Sequence, residues 1–156
     1  MLKPPVKIDD LIDEWAKDAP IDKTEPHKAL ERLPKLHAKY QAIRSHHNMI
    51  VKNIEFDFAE MKRWKTAYYS GELNNSEDLE KYGLEPYPHK HGRNIENVVN
   101  ADPDLIKLLM RKTIHKEIVD YCDSIMNQIS NQHYSLGAII KWRIFTNDTS
   151  ISRDDD

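Results

Sequence analysis

Residues 35–71 read KLHAKYQAIRSHHNMIVKNIEFDFAEMKRWKTAYYSG, and neither glycine nor proline occurs in this stretch before Gly71. Gly71 marks the predicted end of a helix, because glycine adopts the left-handed conformation of a C-cap without a Cβ penalty. The helix itself is predicted over about 35–69, because its seam residues recur in steps of four and three. These seam residues are Leu36, Tyr40, Ile43, His47, Ile50, Ile54, Met61, Trp64 and Tyr68.

A second long helix is predicted over about 103–130. Asp102 is placed to cap it, and Pro103 suits its first position, where the missing amide hydrogen costs no helical bond. Its apolar face is broader than a two-stranded seam requires, which makes it the candidate for the central packing helix. The helix over 35–69 has too narrow a seam to be buried alone, so we expect it to pack along this second helix or along a neighbouring chain.

Shorter elements flank these two helices. A short N-terminal helix is predicted over 8–18, and another begins near Pro26 and runs to about Leu33, where Pro34 is expected to interrupt or bend it. The polar run 131–133 predicts a break before a final short helix over about 135–145. Asparagine, glycine and proline residues between 72 and 100 predict a loop.

The composition fits helices with thin seams. The chain has 156 residues, of which 39% are hydrophobic and 31% are charged, with a formal net charge of −3. We therefore predict one all-α domain over 1–156. Its parts are the N-terminal helices (1–71), the loop (72–100), the packing helices (101–146) and an acidic tail (147–156).

Several functional classes are disfavoured by the sequence. No apolar run approaches the roughly 18 to 20 residues of a membrane span, and the first residues lack the apolar core of a signal peptide. Only four glycines occur, which argues against a glycine-rich phosphate cradle. The single cysteine, Cys122, lies on the apolar face of its helix and is expected to be a small buried hydrophobe in a reducing compartment.

The histidines do not form a recognisable metal-binding or catalytic pattern. His46-His47 and His89-Lys90-His91 lack the carboxylate or cysteine partners of known ligand sets, and no nucleophile, base and orienting group stand out. We expect these histidines to be ordinary surface residues. The sequence thus predicts a protein without enzymatic activity, bound metal or cofactor.

A cluster of cations and aromatic residues ends the helix over 35–69. Lys62, Arg63 and Lys65 alternate with Trp64, Tyr68 and Tyr69. Cations bind phosphates and exposed aromatic rings stack on unpaired bases, a combination that suits single-stranded nucleic acid. The alternative is that Trp64 and Tyr68 belong to the helix seam and the cations are merely solvated. A second basic stripe is weaker evidence, because any amphipathic helix has a charged face; it comprises Lys107, Arg111, Lys112, His115 and Lys116.

The segment Arg63-Trp64-Lys65-Thr66-Ala67-Tyr68-Tyr69-Ser70-Gly71 resembles the basic-x-basic-x-x-Tyr-Tyr-Ser-Gly signature of the UvsY family, the recombination mediators of T-even-type phages. Residues 72–93 form a longer segment than the family pattern has. Further stretches resemble the family in the same order along nearly the whole chain: Asp10-Leu11, Ile21-Asp22-x-Thr24, Leu36-x-x-Lys39-Tyr40, Ala101-Asp102-x-Asp104, Asp120-Tyr121-Cys122 and Ala138-Ile139-x-Lys141.

The resemblance implies a non-enzymatic helical protein of the infected host cell's cytoplasm. Such a protein forms a ring-like homo-oligomer, binds single-stranded DNA and helps to load the phage recombinase onto DNA covered by the phage single-strand-binding protein. The two basic positions of the signature map to Arg63 and Lys65, where lysine and arginine are exchanged relative to the familiar pattern. Self-association maps to the C-terminal helix, with Leu136, Ile139, Ile140, Trp142 and Phe145 as the expected interface. The resemblance thus implies that 1–71 contains the single-strand-binding segment and that 101–146 contains the oligomerisation helices.

A helical oligomeric scaffold protein that binds no DNA is the competing interpretation. In that case the basic and aromatic residues at the end of the long helix serve only as seam and surface. Arg63 and Lys65 discriminate between the two, because replacing both lowers the affinity for single strands only if they contact DNA.

Overall fold

The computed structural model of the chain describes residues 7–87 and 94–151, and most of those residues are helical and none is in a strand. The all-α prediction is confirmed. The helices are α1 (Ile8–Asp18), α2 (Pro26–Ser70), α3 (Ser76–Lys81), α4 (Ile95–Asn100) and α5 (Pro103–Ile151). None of the helices in the described part of the chain is long and apolar enough to cross a membrane.

The predicted interruption at Pro34 was wrong. Helix α2 is continuous from Pro26 to Ser70 and contains Pro34 within it. A proline inside a helix removes one backbone hydrogen bond, but Leu33 and Leu36 on either side are both buried in the core. Tertiary packing of this kind supplies most of a helix's stability and here outweighs the local cost. The end of α2 agrees with the prediction, since Gly71 has a φ of 80°.

The predicted break at 131–133 and the separate final helix were also wrong. Helix α5 runs without interruption to Ile151, so the expected C-terminal helix is its last part and the first residues of the expected tail are helical. Ile129 and Leu136 are buried on either side of the polar run and lie on one face, being seven residues apart. Packing of that face in the core keeps α5 helical through the polar run. Residues 152–156 lie outside the described part.

The segment 72–100 is not only a loop, as was predicted, because it contains α3 and α4. Asn75 caps α3 by accepting a hydrogen bond from the backbone N–H of Glu77. Acidic residues in the first turn of α3, Glu77 and Asp78, complement the helix dipole. Residues 88–93 lie outside the described part, and with them His89 and His91.

The chain divides into two compact units, and the first comprises residues 1–48 and 117–156. Within it, α1 packs with parts of α2 and α5 around one core, as predicted for the two long helices. Trp15 meets Tyr40 edge to face, with 5.4 Å between the ring centroids, and donates a hydrogen bond to the Gln128 side chain. Cys122 is fully buried, as expected, and burial raises the pKa of its thiol to about 11.

The second unit comprises residues 49–116, from parts of α2 and α5 with α3 and α4. Its buried apolar residues include Leu79 of α3, Val99 of α4 and Leu105 of α5. Two charged residues, Lys65 and Asp102, are buried in the same unit. Asp102 caps α5 as predicted, since its side chain accepts hydrogen bonds from the backbone N–H groups of the first turn.

Candidate nucleic-acid interface

The two basic residues of the signature at the end of α2 lie in different environments. Arg63 is exposed, whereas Lys65 is buried. Successive helical residues are rotated by about 100°, so side chains two positions apart point to nearly opposite sides. Lys62 is half-buried next to Arg63. Arg63 and Lys62 thus give this helix end its accessible positive charge.

Lys65 forms ion pairs with two carboxylates at the start of α5. Its Nζ lies 2.7 Å from Oδ2 of Asp102 and 2.9 Å from Oδ2 of Asp104. The side chains of Lys65 and Asp102 are only 8% and 1% exposed, whereas that of Asp104 is 52% exposed. The Lys65–Asp102 pair is therefore a buried ion pair with a second, solvated acid beside it.

Asp102 has partners for both of its carboxylate oxygens. Oδ2 also accepts a hydrogen bond of 2.7 Å from the Tyr69 hydroxyl. Oδ1 accepts hydrogen bonds from the backbone N–H groups of Asp104, at 2.9 Å, and Leu105, at 3.4 Å. We call Lys65, Tyr69, Asp102 and Asp104 the Asp102 cluster. It joins the end of α2 to the beginning of α5.

The pKa values in this cluster show that the charged pair is favoured despite its burial. Burial alone raises the pKa of Asp102, but the hydrogen bonds from Lys65 and Tyr69 outweigh it and hold the pKa below its ordinary value. Burial likewise lowers the pKa of Lys65, but the two carboxylates outweigh it and raise the pKa. Burial and the bond to Asp102 raise the pKa of Tyr69, which therefore remains a hydrogen-bond donor.

The aromatic residues of the signature pack against the segment that follows α2. The rings of Trp64 and Tyr82 are stacked, with centroids 4.6 Å apart and 12° between the planes. The Tyr68 hydroxyl donates a hydrogen bond to the backbone carbonyl of Glu85. Tyr87 lies edge-on to both tyrosines, with centroids 5.5 Å from Tyr68 and 5.1 Å from Tyr69.

The predicted aromatic residues are thus brought together, with two partners that sequence reasoning missed. Tyr82 and Tyr87 lie in the segment predicted as a loop, beside Gly83 and Pro86, which are typical turn residues. These turn residues indicate that the chain can fold back towards α2, but the sequence spacing does not indicate which aromatic residues of α2 the two tyrosines contact. The five predicted site residues lie at one helix end: half-buried Lys62, Tyr68 and Tyr69, exposed Arg63 and buried Lys65.

The second basic stripe, on α5, is partly compensated by acids. Lys112 forms an ion pair of 2.8 Å with Glu55, and the resulting hydrogen bond lowers the pKa of that carboxyl. Lys107 lies 3.9 Å from Asp104. Arg111 is exposed.

The predicted oligomer interface at the end of α5 has mixed exposure. Leu136 is buried in the core of the first unit, and Ile139 and Ile140 are half-buried. Trp142 and Phe145 are each more than half exposed, and their ring centroids are 6.0 Å apart. The apolar surface here is therefore carried by the last turns of the described helix.

The histidines and acids do not form a metal-binding group in residues 7–87 and 94–151. Within that range, no set of three or more histidine, cysteine, aspartate or glutamate residues is arranged to hold a metal ion. His46 and His47 lie edge to face. His47 is buried, which agrees with its predicted place in the helix seam and not with the expectation of an ordinary surface histidine.

Comparison with known proteins agrees with this architecture. Residues 14–149 match the family model described as "Recombination, repair and ssDNA binding protein UvsY". No curated protein sequence matches the chain.

Three crystal structures of the bacteriophage T4 recombination mediator protein UvsY have the same fold, each at 20% sequence identity. Lattice type II has a TM-score of 0.76 over 92% of this chain and 99% of that chain. Lattice type IV gives 0.71 over 90% and 99%, and lattice type I gives 0.72 over 88% and 98%. Since the family model spans most of the chain, the protein belongs to the UvsY family of recombination, repair and single-stranded-DNA-binding proteins.

Proposed function

We propose that this protein is a recombination mediator without enzymatic activity of its own. It binds single-stranded DNA and promotes the loading of a phage recombinase onto strands covered by the phage single-strand-binding protein, in the cytoplasm of the infected host cell. The observation that carries the proposal is the exposed Arg63 in the last turns of α2, the helix end that also carries the aromatic residues of the signature, in a chain of the UvsY family.

The chemistry of this helix end suits a single strand. Arg63 and Lys62 offer cations to phosphates, and Tyr68 and Tyr69 are partly exposed aromatic residues of the kind on which bases stack. Lys65 belongs to the same signature, so its replacement is expected to affect binding as well. One subunit with so few cations binds weakly, because each neutralised phosphate adds only a modest, salt-sensitive contribution.

A ring-like homo-oligomer supplies the missing affinity in this proposal. Linked sites bind one strand with a high effective concentration, so a subunit with a net charge of −3 can still contribute to tight binding. The exposed Trp142, Ile144 and Phe145 support self-association, because large apolar side chains grouped on a surface are typical of interfaces. We expect Trp142→Ala to reduce the mass of the assembly.

The proposal is tested by titrating fluorescent oligo-dT with the purified protein over a series of salt concentrations, with the mass measured on the same sample. We expect tight binding by a multimer. Arg63→Ala is expected to weaken this binding and to reduce the slope of its salt dependence by roughly 0.7 for each phosphate that the variant no longer neutralises. Lys17→Ala is the matched control, because Lys17 is an exposed cation in α1.

Two results contradict the proposal. Absence of binding at low salt by a folded multimer favours the scaffold interpretation. Equal losses of affinity in Arg63→Ala and Lys17→Ala show that binding depends on overall charge and not on the end of α2.

Recombinase loading is then tested by strand assimilation on DNA covered with single-strand-binding protein, where we expect stimulation by the wild-type protein and less by Arg63→Ala.

A further inference from the structure

We propose that Lys65 is a positioning residue that acts through Asp102, and that it orients the DNA-binding end of α2 without contacting phosphate itself. This inference rests on the proposed function. The two cations of the signature look equivalent in the sequence, but they have different roles in this proposal. The exposed Arg63 binds phosphate, and the buried Lys65 holds the helix end in place.

The ammonium group of Lys65 is already engaged. It lies within 2.9 Å of two carboxylates, and its side chain is 8% exposed. Moving it to a phosphate leaves the Asp102 carboxylate, 1% exposed, without its cation. An uncompensated buried charge is strongly unfavourable, so the exchange opposes DNA binding.

The Asp102 cluster is built to hold the helix end in one orientation. Asp102 receives Lys65 and Tyr69 from successive turns of α2 on one oxygen, and the first amides of α5 on the other. Two neighbouring turns of α2 are thereby held against the start of α5. With Lys65 fixed inward, Arg63 is directed outward, because the two side chains lie on nearly opposite sides of the helix.

The ring of Tyr69 is placed by the same interactions. Its hydroxyl is held by Asp102 while its ring packs on Tyr68 and Tyr87. Replacement of Lys65 therefore disturbs the cation at Arg63 and the stacking surface together. It does so without removing a group that binds phosphate.

The negative charge of Asp102 allows an experiment to distinguish a role in positioning the DNA-binding residues from a purely electrostatic effect on the DNA. Asp102 is negative, so its neutralisation strengthens binding to an anionic strand if only long-range electrostatics matter. Asp102→Asn keeps a side chain that can cap α5, because asparagine caps helices as well as aspartate does. If Asp102 orients the DNA-binding residues, the same change weakens binding.

The experiment compares oligo-dT binding over a salt series for full-length Lys65→Met, Asp102→Asn and the double variant Lys65→Met/Asp102→Asn. Amide hydrogen exchange over residues 62–73 is measured on the same samples. We expect both single variants to lose at least about threefold in affinity, with the same salt dependence as each other and faster exchange, since coupled partners belong to one interaction network. The double variant is expected to recover part of the affinity, because it leaves no buried charge unpaired.

The matched controls are Lys39→Met and Asp18→Asn, which change a similar lysine–aspartate pair in the first unit. We expect them to leave DNA affinity unchanged. Arg63→Ala, which is expected to lower the salt dependence, tests the proposed function independently of the Asp102 cluster.

The inference is overturned if Lys65→Met lowers the salt dependence as much as Arg63→Ala while Asp102→Asn binds more tightly. That result makes Lys65 a phosphate ligand and leaves the proposed function intact. Absence of binding by the wild-type protein overturns the proposed function, and this inference with it, before any variant is compared. Should Lys65→Met fail to fold, Asp102→Asn and the double variant still decide the question.

Discussion

Each of the two compact units contains a lysine and a tyrosine of α2 that share one aspartate. In the first unit Asp18 accepts hydrogen bonds from Lys39, at 2.6 Å, and Tyr40, at 2.9 Å. In the second unit Asp102 pairs with Lys65 and Tyr69, both at 2.7 Å. The chemistry is the same, but the side chains of Asp18 and Lys39 are 18% and 25% exposed, whereas those of the second pair are nearly inaccessible.

Helix ends add a further difference between the two aspartates. Asp18 is the last residue of α1, where the helix dipole disfavours a negative charge, and Arg32 adds a second cationic partner in compensation. Asp102 precedes the first residue of α5, where the dipole favours a negative charge and the backbone amides bind it directly. The same lysine, tyrosine and aspartate therefore close a helix end through a partly exposed carboxylate in one unit and anchor a helix start through a buried carboxylate in the other.

The largest expected effect is that of Asp102→Ala. It removes the cap of α5 and leaves Lys65 buried with only Asp104 for a partner, so we expect a decrease of about 3 kcal/mol in the free energy of unfolding, measured by denaturant titration. Asp104→Ala is the control, because a half-exposed carboxylate contributes less than about 1 kcal/mol. Equal decreases in the two variants contradict the view that Asp102 contributes most of the stability of the Asp102 cluster.

An intermediate effect is expected for Asp18→Ala. Lys39 and Arg32 can turn to solvent when the carboxylate is removed, so we expect a decrease of about 1 kcal/mol in the same titration. A decrease as large as that of Asp102→Ala shows that burial is not what distinguishes the two triads.

The smallest effect is expected in how the stability of the fold changes with pH near neutrality. The folded pKa of both aspartates lies below the ordinary value, so the unfolded chain binds more protons in acid. Their contribution to stability is therefore present above about pH 4, the unfolded pKa, and is lost as the pH falls through the folded pKa. The folded pKa of Lys39 and Lys65 is raised, so their contribution is present below about pH 10 and is lost above it.

Thermal unfolding between about pH 2 and pH 11 checks this pH dependence. We expect a nearly constant difference between the wild-type protein and Asp102→Asn from about pH 5 to pH 9, which shrinks in acid. The same comparison for Asp18→Asn is expected to give a smaller difference over the whole range. A difference that grows in acid contradicts the sign of these pKa shifts.

Local signals in the sequence predicted the elements whose ends are set locally. Helix α1, the Gly71 end of α2 and the Asp102 start of α5 follow from caps, proline and glycine positions and apolar spacing. Pro34 and the polar run at 131–133 were misjudged, because the buried leucines and isoleucines around them hold the helices together. That packing depends on residues far away in the chain.

The candidate site shows the same limit. The sequence placed Arg63 and Lys65 together as cations of one signature, and the helical period alone says only that they face different sides. Which side is buried depends on Asp102, far from Lys65 in the chain, and on the return of the chain through Tyr82 and Tyr87. The asymmetry between the two cations therefore needed the tertiary structure.

The central claim, that the end of α2 holds the single strand, is tested most directly by photocrosslinking. Oligo-dT containing 5-iodouracil is irradiated with the wild-type multimer, and the crosslinked peptides are identified by mass spectrometry. The account predicts crosslinks to the aromatic residues at this helix end, with Tyr68 and Tyr69 foremost, and their decrease in Arg63→Ala. Crosslinks found only in α1 or in the last turns of α5 contradict it.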